Sequence, residues 1–296
     1  YFFWVYSCPM TALPLVRTFT DAFGVDITFF EWPVAKPKAI IQLVHGLGEH
    51  ARRYDWVAQE LNRHGYSVYA DDHRGHGQTG VSMIEHKITT AMGQLGPGGM
   101  RATINQIHEL TDLIHIENRG AALFLFGHSL GAMISQKLLN QHSADYRGVI
   151  LSGSTLMVPG IVKTDGFNKR WKNTPNASGK EWLASDESVG RAFMQDPLCF
   201  PESAARAMGL MNAAVLTGVP SRKIDADKPI LIFAGSDDPI GGERGNKMLM
   251  NAYRRAGVHD VTLIIYPGMR HEVLNDVSKD EAIEDIAAWL EESLDD

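Results

Sequence analysis

Short apolar runs bounded by turn residues recur along the chain: AIIQLVHG at 39–46, YSVYADDH at 66–73, ALFLFGHS at 122–129, GVILSGS at 148–154, PILIFAGSDD at 229–238 and VTLIIYPG at 261–268. They are rich in Val, Ile, Leu and Phe without strict alternation, the pattern of strands covered on both faces in a parallel sheet. Between them the apolar positions take helical spacing: Tyr54, Val57 and Leu61 before Gly65; Ile104, Ile107 and Ile114; Met133, Ile134 and Leu138; Ile283, Ile286 and Leu290. Strand and helix in alternation predict right-handed crossovers and a doubly wound α/β sheet, mostly parallel. LVRTFTDAFGVDITFFEW near the start predicts an antiparallel hairpin added at its edge.

The rhythm stops between about Met157 and Asp227, where Pro, Trp and Met are frequent and no strand run appears. Two segments there, KEWLASDESVGRAFMQD and PESAARAMGLMNAAVLTG, read as helices, the second with Pro201 suited to a first turn. Because the strand pattern resumes afterwards, 157–227 is expected to be a helical cap inserted into a core made of 10–156 and 228–296. The opening YFFWVYSCPM is apolar but lacks the charged start and the length of a signal peptide. Residues 1–9 are therefore expected to be an added or upstream extension before a natural start at Met10, with a membrane-associating tail as the alternative.

Composition narrows the class. The chain has 296 residues, 44% hydrophobic and 21% charged, as in an ordinary folded protein with a sizeable core. A net charge of −7 without a Lys/Arg block argues against nucleic acid as a partner, since that binding needs clustered cations. The acidic run DEAIEDIAAWLEESLDD reads as the solvated face of a terminal helix. Only Cys8 and Cys199 are present, so no disulfide framework is predicted and a cytoplasmic location is expected. No apolar run reaches the roughly 18 residues of a membrane span.

Against this background GHSLG stands out, because it interrupts a strand run and precedes the helical LGAMISQKLLNQH. A serine in strand, tight turn and helix is the setting of a nucleophile elbow, where the flanking Gly127 and Gly131 allow backbones to approach. The alternative is Ser129 as a simple helix cap. A hydroxyl needs a base to take its proton and a third group to orient that base. On such sheets the acid and then the histidine follow the serine, each past a later strand. GSDDPI supplies Asp237 or Asp238, with Asp238 preferred, and YPGMRHEVLND supplies His271. His64, His115, His142 and His259 fall on helices or before a strand. Backbone donors for a developing oxyanion are expected at Leu47, in HGLGEH after the first strand run, and at Leu130, directly after the serine. A metal site among His45, His50, His73 and His76 is weighed and set aside, because DDHRGHG lacks the helical H-E-x-x-H spacing and reads as a hydrogen-bonded turn.

These segments together resemble α/β-hydrolase-fold serine hydrolases of the monoacylglycerol lipase and bacterial lysophospholipase type, a group also filed with serine aminopeptidases. HGLGEHARRY is similar to that family's oxyanion segment, ADDHRGHGQTG to its glycine-rich turn, GHSLGA to its elbow, WLASDESVGRAFMQDPL to its cap pattern, GSDDPIG to its acid loop and YPGMRHEVLND to its histidine loop. One departure is Leu130, where relatives often have Met followed by a Gly-Gly pair; here Gly131 is followed by Ala132, a small residue expected to permit the same close packing. The resemblance implies the α/β-hydrolase fold, a catalytic set of Ser129, Asp238 rather than Asp237, and His271, and no metal or organic cofactor. The expected reaction is hydrolysis of a carboxylic ester through an acyl-enzyme, on monoacylglycerol or a similar medium-chain monoester. Lysophospholipid hydrolysis is the alternative, and an amidase or aminopeptidase would use cap acids such as Asp186, Glu187 and Asp196. A non-catalytic ligand-binding protein is disfavoured. Apolar cap residues Met157, Ile161, Phe167, Trp182, Met208 and Met211 are expected to contact the substrate, with at most transient contact between the cap and a membrane or micelle.

Overall fold

The computed structural model describes residues 13–158, 166–201 and 204–295. The expected extension at 1–9 and the candidate substrate contact Ile161 lie outside these residues. One eight-stranded sheet organises the chain: β1 (Leu15–Thr20), β2 (Asp26–Trp32), β3 (Ala39–Val44), β4 (Tyr66–Asp71), β5 (Leu123–His128), β6 (Gly148–Ser152), β7 (Ile230–Gly235) and β8 (Val261–Tyr266). Its order is β1-β2-β4-β3-β5-β6-β7-β8, parallel from β4 to β8. The hairpin β1–β2 joins β4 antiparallel, at the edge where it was expected. Its turn is tied by Asp21, whose carboxylate accepts from the Phe23 and Val25 amides, each at 2.9 Å.

The helices are α1 (Asp55–Arg63), α2 (Gly77–Glu85), α3 (Gly99–Glu117), α4 (Leu130–His142), α5 (Glu187–Gln195), α6 (Ala204–Ala207), α7 (Leu210–Val215), α8 (Gly242–Ala256) and α9 (Lys279–Asp295). Among the described residues none is long and apolar enough to cross a membrane. Side chains alternate between the two faces of the sheet. Leu123 and Leu125 of β5 pack with Ile107, Leu110 and Leu138 of α3 and α4, whereas Phe124 and Phe126 pack with Leu61 of α1 and Ile286 and Leu290 of α9. Burial on both faces is what removes the polar half of the pattern from these strands.

Chain direction across the sheet reverses at β3. From β3 the chain moves to β4 on one side, then returns to place β5 on the other, with Val44 in register with Gly127. A crevice at such a switch point, outside the carboxyl ends of the strands, is where open α/β sheets bind ligands.

Three expectations about helices change. The segment 180–196 is helical only from Glu187, where the Asp186 carboxylate caps α5 by accepting from the Ser188 amide at 2.8 Å. Before it, the carbonyls that a helix would use face the loop after β8: Arg270 donates to Glu181 and Ala184, and the Glu272 amide donates to Leu183 at 2.6 Å. The segment expected as one helix over 201–218 is two short ones, α6 and α7, because Gly209 at φ 83°, ψ 155° breaks the turn. Two helices absent from the reading of the periodicity, α2 and α8, complete the layers. Their buried faces include Gly77, Thr79 and Gly80, and Gly242, Gly245 and Asn246, so neither shows a clean apolar stripe.

Candidate active site

Ser129 stands between β5 and α4 at φ 53°, ψ −117°. A non-glycine residue held there carries backbone strain. The surroundings hold it: its amide donates to the Ser152 carbonyl at 2.9 Å and its carbonyl accepts from Met133 at 3.1 Å. The two flanking glycines are required by contact. A Cβ on Gly127 would meet Ser135 Oγ at 2.4 Å and the Gly131 carbonyl at 2.5 Å. A Cβ on Gly131 would meet the Val44 carbonyl oxygen at 1.9 Å. Ala132, at the departure from the family pattern, is fully buried in the core with its methyl accommodated.

Asp238 follows β7 and His271 follows β8, so both reach the same end of the sheet as Ser129. His271 Nδ1 lies 3.1 Å from Asp238 Oδ2, and both side chains are buried. The contact is close but bent away from a linear hydrogen bond, and the two atoms have no other hydrogen-bond partner. Burial disfavours a charged His271, yet Asp238 beside it, with Glu272 and Glu49 farther off, outweighs that and raises its pKa. The other Asp238 oxygen accepts from the Ile240 amide at 2.9 Å. Asp237 turns the other way, half-buried, to a surface ion pair with Arg170 at 2.8 Å. His128, whose ring centroid is 4.7 Å from that of His271, is pushed down to about 4 by burial and by His271.

Leu47 follows β3 and Leu130 opens α4, on opposite sides of the switch-point crevice. The Leu130 amide is in the first turn of its helix, where N–H groups have no intrahelical acceptor. The loop bearing Leu47 is fixed by a buried network that the sequence reading did not single out. One Glu49 oxygen accepts from the Gly46 amide at 2.6 Å and from Tyr54 Oη at 2.8 Å; the other pairs with Arg53 at 2.6 Å. Arg53 in turn holds Glu272 through two hydrogen bonds of 2.9 and 2.7 Å. Glu272 is kept ionised against its burial chiefly by Arg53, which lowers its pKa to about 2. Arg53 thus joins the Leu47 loop to the residue after His271. The signal was present in the adjacency of Glu49 to HGLG and of Glu272 to His271.

The histidines considered as metal ligands form a second knot behind this loop. His45 Nδ1 donates to the Gly46 carbonyl at 2.8 Å, while its Nε2 accepts from the His73 amide at 3.1 Å. That needs a neutral ring, and burial holds the His45 pKa well below its ordinary value. His73 faces acceptors with both nitrogens, Asp71 at 2.7 Å and the His45 carbonyl at 3.1 Å. Burial opposes its charge but Asp71 raises its pKa. His76 Nδ1 donates to the Arg74 carbonyl at 3.1 Å and His50 Nε2 lies 2.9 Å from Asp196.

A cavity of about 880 Å³ opens over Ser129 and His271. It is lined by Leu47, Leu130, Met133 and Ile240, and, from the segment 157–227, by Met157, Phe167, Trp182, Phe193, Phe200 and Met208. Four candidate substrate contacts, Met157, Phe167, Trp182 and Met208, therefore line it. Met211 does not: it is 87% exposed, on the solvent side of the short helix α7. Met133, Phe193 and Phe200, not among the expected contacts, line the cavity as well. Polar residues that the segment 157–227 places at the wall are Asn168, Ser178, Thr217 and the cations Lys169, Lys172 and Lys180. Asp186 instead caps α5, and Asp196 is engaged by His50 and by the Leu198 amide.

Comparison with known proteins agrees with this architecture. A monoacylglycerol lipase of Mycolicibacterium smegmatis is 26% identical over 93% of this chain and 96% of its own length. A monoglyceride lipase of Rattus norvegicus is 26% identical over 87% of this chain and 84% of its own. The crystal structure of a thermostable carboxyl esterase from Bacillus coagulans, in complex with glycerol, superimposes with a TM-score of 0.82 at 26% identity, covering 96% of this chain and 99% of that one. The profile of the family described as Serine aminopeptidase, S33 matches residues 35–278. On that match and this sheet, the chain belongs to the serine aminopeptidase S33 family and is an α/β hydrolase.

Proposed function

We propose that this hydrolase cleaves carboxylic esters through an acyl-enzyme on Ser129, with monoacylglycerol or a similar medium-chain monoester as substrate. One observation carries the reading: Ser129, on its strained turn, shares a cavity with His271, whose Nδ1 is engaged by buried Asp238. With Nδ1 committed, Nε2 is the nitrogen left to take the Ser129 proton. The alkoxide then attacks the ester carbonyl, and the Leu47 and Leu130 amides receive the oxyanion. His271, now charged beside Asp238, returns the proton to the leaving alcohol. Water repeats the sequence on the acyl-enzyme and releases the acid. Residues 157–227 act as the cap over this site.

The cavity supports an ester with an aliphatic chain, since its size is in the range of small-ligand pockets and its wall is largely apolar. The lipase and esterase names of the relatives point the same way. An aminopeptidase would need acids to hold a substrate ammonium group, and the insertion presents three lysines at the wall while Asp186 and Asp196 are engaged elsewhere. Those lysines favour a lysophospholipid as the second reading, its phosphate meeting Lys169, Lys172 or Lys180.

The test is turnover of p-nitrophenyl esters of graded length, a monoacylglycerol, a lysophospholipid and an aminoacyl-amide by wild type and Ser129→Ala. Loss of turnover in the variant, with the monoacylglycerol preferred, is expected. Equal rates from the two proteins would sink the role of Ser129, and preference for the amide would overturn the ester reading.

A further inference from the structure

Away from the cavity, three side chains of metal-binding type converge at the opposite end of the sheet. His108 projects from α3, His142 ends α4, and Asp145 lies in the turn leading into β6. His108 Nε2 is 2.8 Å from Asp145 Oδ2, and His142 Nδ1 is 3.7 Å from the same oxygen. The two imidazoles stack with centroids 3.7 Å apart and planes at 28°. One ligand atom from each of the three lies within 4.8 Å of the others. All three side chains are partly exposed, so a cation reaches them from solvent without the chain opening.

Two neighbours give this group the outer support of a metal site. His108 Nδ1 faces Asp112 Oδ2, one helical turn on, at 3.7 Å. A carboxylate behind the non-ligating nitrogen is the usual device that orients a metal-binding histidine. His115 Nε2 donates to the Asp145 carbonyl at 2.9 Å and fixes the turn that presents the carboxylate. Two imidazoles and a carboxylate form a ligand set for a first-row transition dication. Ligands about 2.0–2.2 Å from a common zinc ion at tetrahedral angles stand roughly 3.4 Å apart. To reach that separation His108 Nε2 and Asp145 Oδ2 would part by about 0.6 Å and His142 would close on Asp145, by rotation of partly exposed side chains.

We propose that His108, His142 and Asp145 bind a divalent first-row transition cation that clips α3 to α4 and to the turn before β6. The serine turn lies at the other end of α4, 13 residues long and so about 20 Å away. The ion therefore acts on the stability of the helix pair and not on ester cleavage.

The experiment titrates Zn²⁺ into the chelator-treated full chain by calorimetry and repeats thermal melting with and without Zn²⁺. The proteins are wild type, His142→Gln, the double variant His108→Gln/His142→Gln, Asp112→Asn and Cys199→Ser. The last removes the thiol of a second group, His50, Asp196 and Cys199, whose atoms also lie close together. Wild type and Cys199→Ser are expected to bind one ion, and their melting temperature to climb with the logarithm of Zn²⁺ concentration. His142→Gln and the double variant lose both effects while melting like wild type in EDTA, and Asp112→Asn weakens binding about tenfold. Unchanged binding by the double variant, no zinc-dependent melting shift in wild type, or loss in Cys199→Ser alone would each overturn the proposal.

Discussion

Gly131→Ala tests whether α4 must lie against the end of β3. The added methyl would stand 1.9 Å from the Val44 carbonyl oxygen, 2.5 Å from its carbon and 2.6 Å from the His45 carbonyl oxygen. All three atoms are backbone, so no side chain can swing aside. Ordinary contact begins at 3.4 Å, and the gap must widen by about 1.5 Å. Alanine gains up to about 1 kcal/mol in helix propensity over glycine. Forcing a methyl into a packed interior costs about 1–3 kcal/mol or more, so the clash wins. The expected net loss of about 1–2 kcal/mol lowers the melting temperature by roughly 2–8 °C. The larger effect is on rate. The gap that opens lies between the loop bearing Leu47 and the turn bearing Ser129 and Leu130, and a misplacement of about 1 Å there costs on the order of 10²-fold. Steady-state hydrolysis of p-nitrophenyl butyrate, beside a circular dichroism melt, reads both. A folded variant with kcat within about twofold of wild type would refute the pairing of the two amides across that gap.

Four further outcomes follow from the same geometry. Asp238→Asn should lower kcat about 10⁴-fold by releasing the His271 tautomer, whereas Asp237→Asn, which breaks only the surface pair with Arg170, should leave it unchanged; equal losses would contradict the assignment. Because His271 must be neutral to accept a proton and its pKa is raised, kcat/KM should climb with an apparent pKa above 6.5. The sign for stability is opposite: the His271–Asp238 contribution is full below the unfolded value near 6.5 and is lost as pH rises through the folded one, which urea melts of wild type and Asp238→Asn across that window would reveal. Met208→Ser, in the buried wall, should shift the preferred acyl length on graded esters, while Met211→Ser, in solvent, should not; identical profiles would remove Met208 from the acyl path.

The sheet was legible because burial on both faces of β3 to β7 leaves runs with few polar breaks, and β8, half-buried at the edge, keeps a run of Leu263, Ile264 and Ile265; each run is trimmed by one to three residues at its ends. The resemblance of the segments to the family also held, and the profile match spans them. What escaped had physical reasons. A helix such as α8 keeps its period, but its buried positions are glycines, Asn246 and Ala252 beside Leu249 and Tyr253, so the large apolar residues that mark a helix are few. Residues 181–185 have helix-forming composition, but their carbonyls are drawn to Arg270 and Glu272, a contact between segments far apart in the chain. Arg74 is fully buried and reaches Asp21, Leu95 and Pro97, so DDHRGHG is a tertiary knot and not only the local turn its residues suggest. Met211 failed for a simpler cause: in the short helix α7 the neighbouring Ala213 and Ala214 face the cavity and Met211 is left outside.

The segment 157–227 is joined to the rest of the chain in part through its own main-chain atoms: the Phe200 amide donates to the Gly48 carbonyl, the Leu183 carbonyl accepts from the Glu272 amide, and the carbonyls of Glu181 and Ala184 accept from the Arg270 side chain. Backbone groups are the same whatever side chain they carry. Phe193 under Arg53, Trp182 against His271 and Met208 in the core add side-chain contacts to these joints. Met194 and Leu210, by contrast, line the cavity from positions open to solvent and can be rewritten by selection, or in a mutagenesis library, with the joints left in place. Substrate range in this scaffold is free to diversify faster than its chemistry, and the wall residues are the place to begin redirecting it.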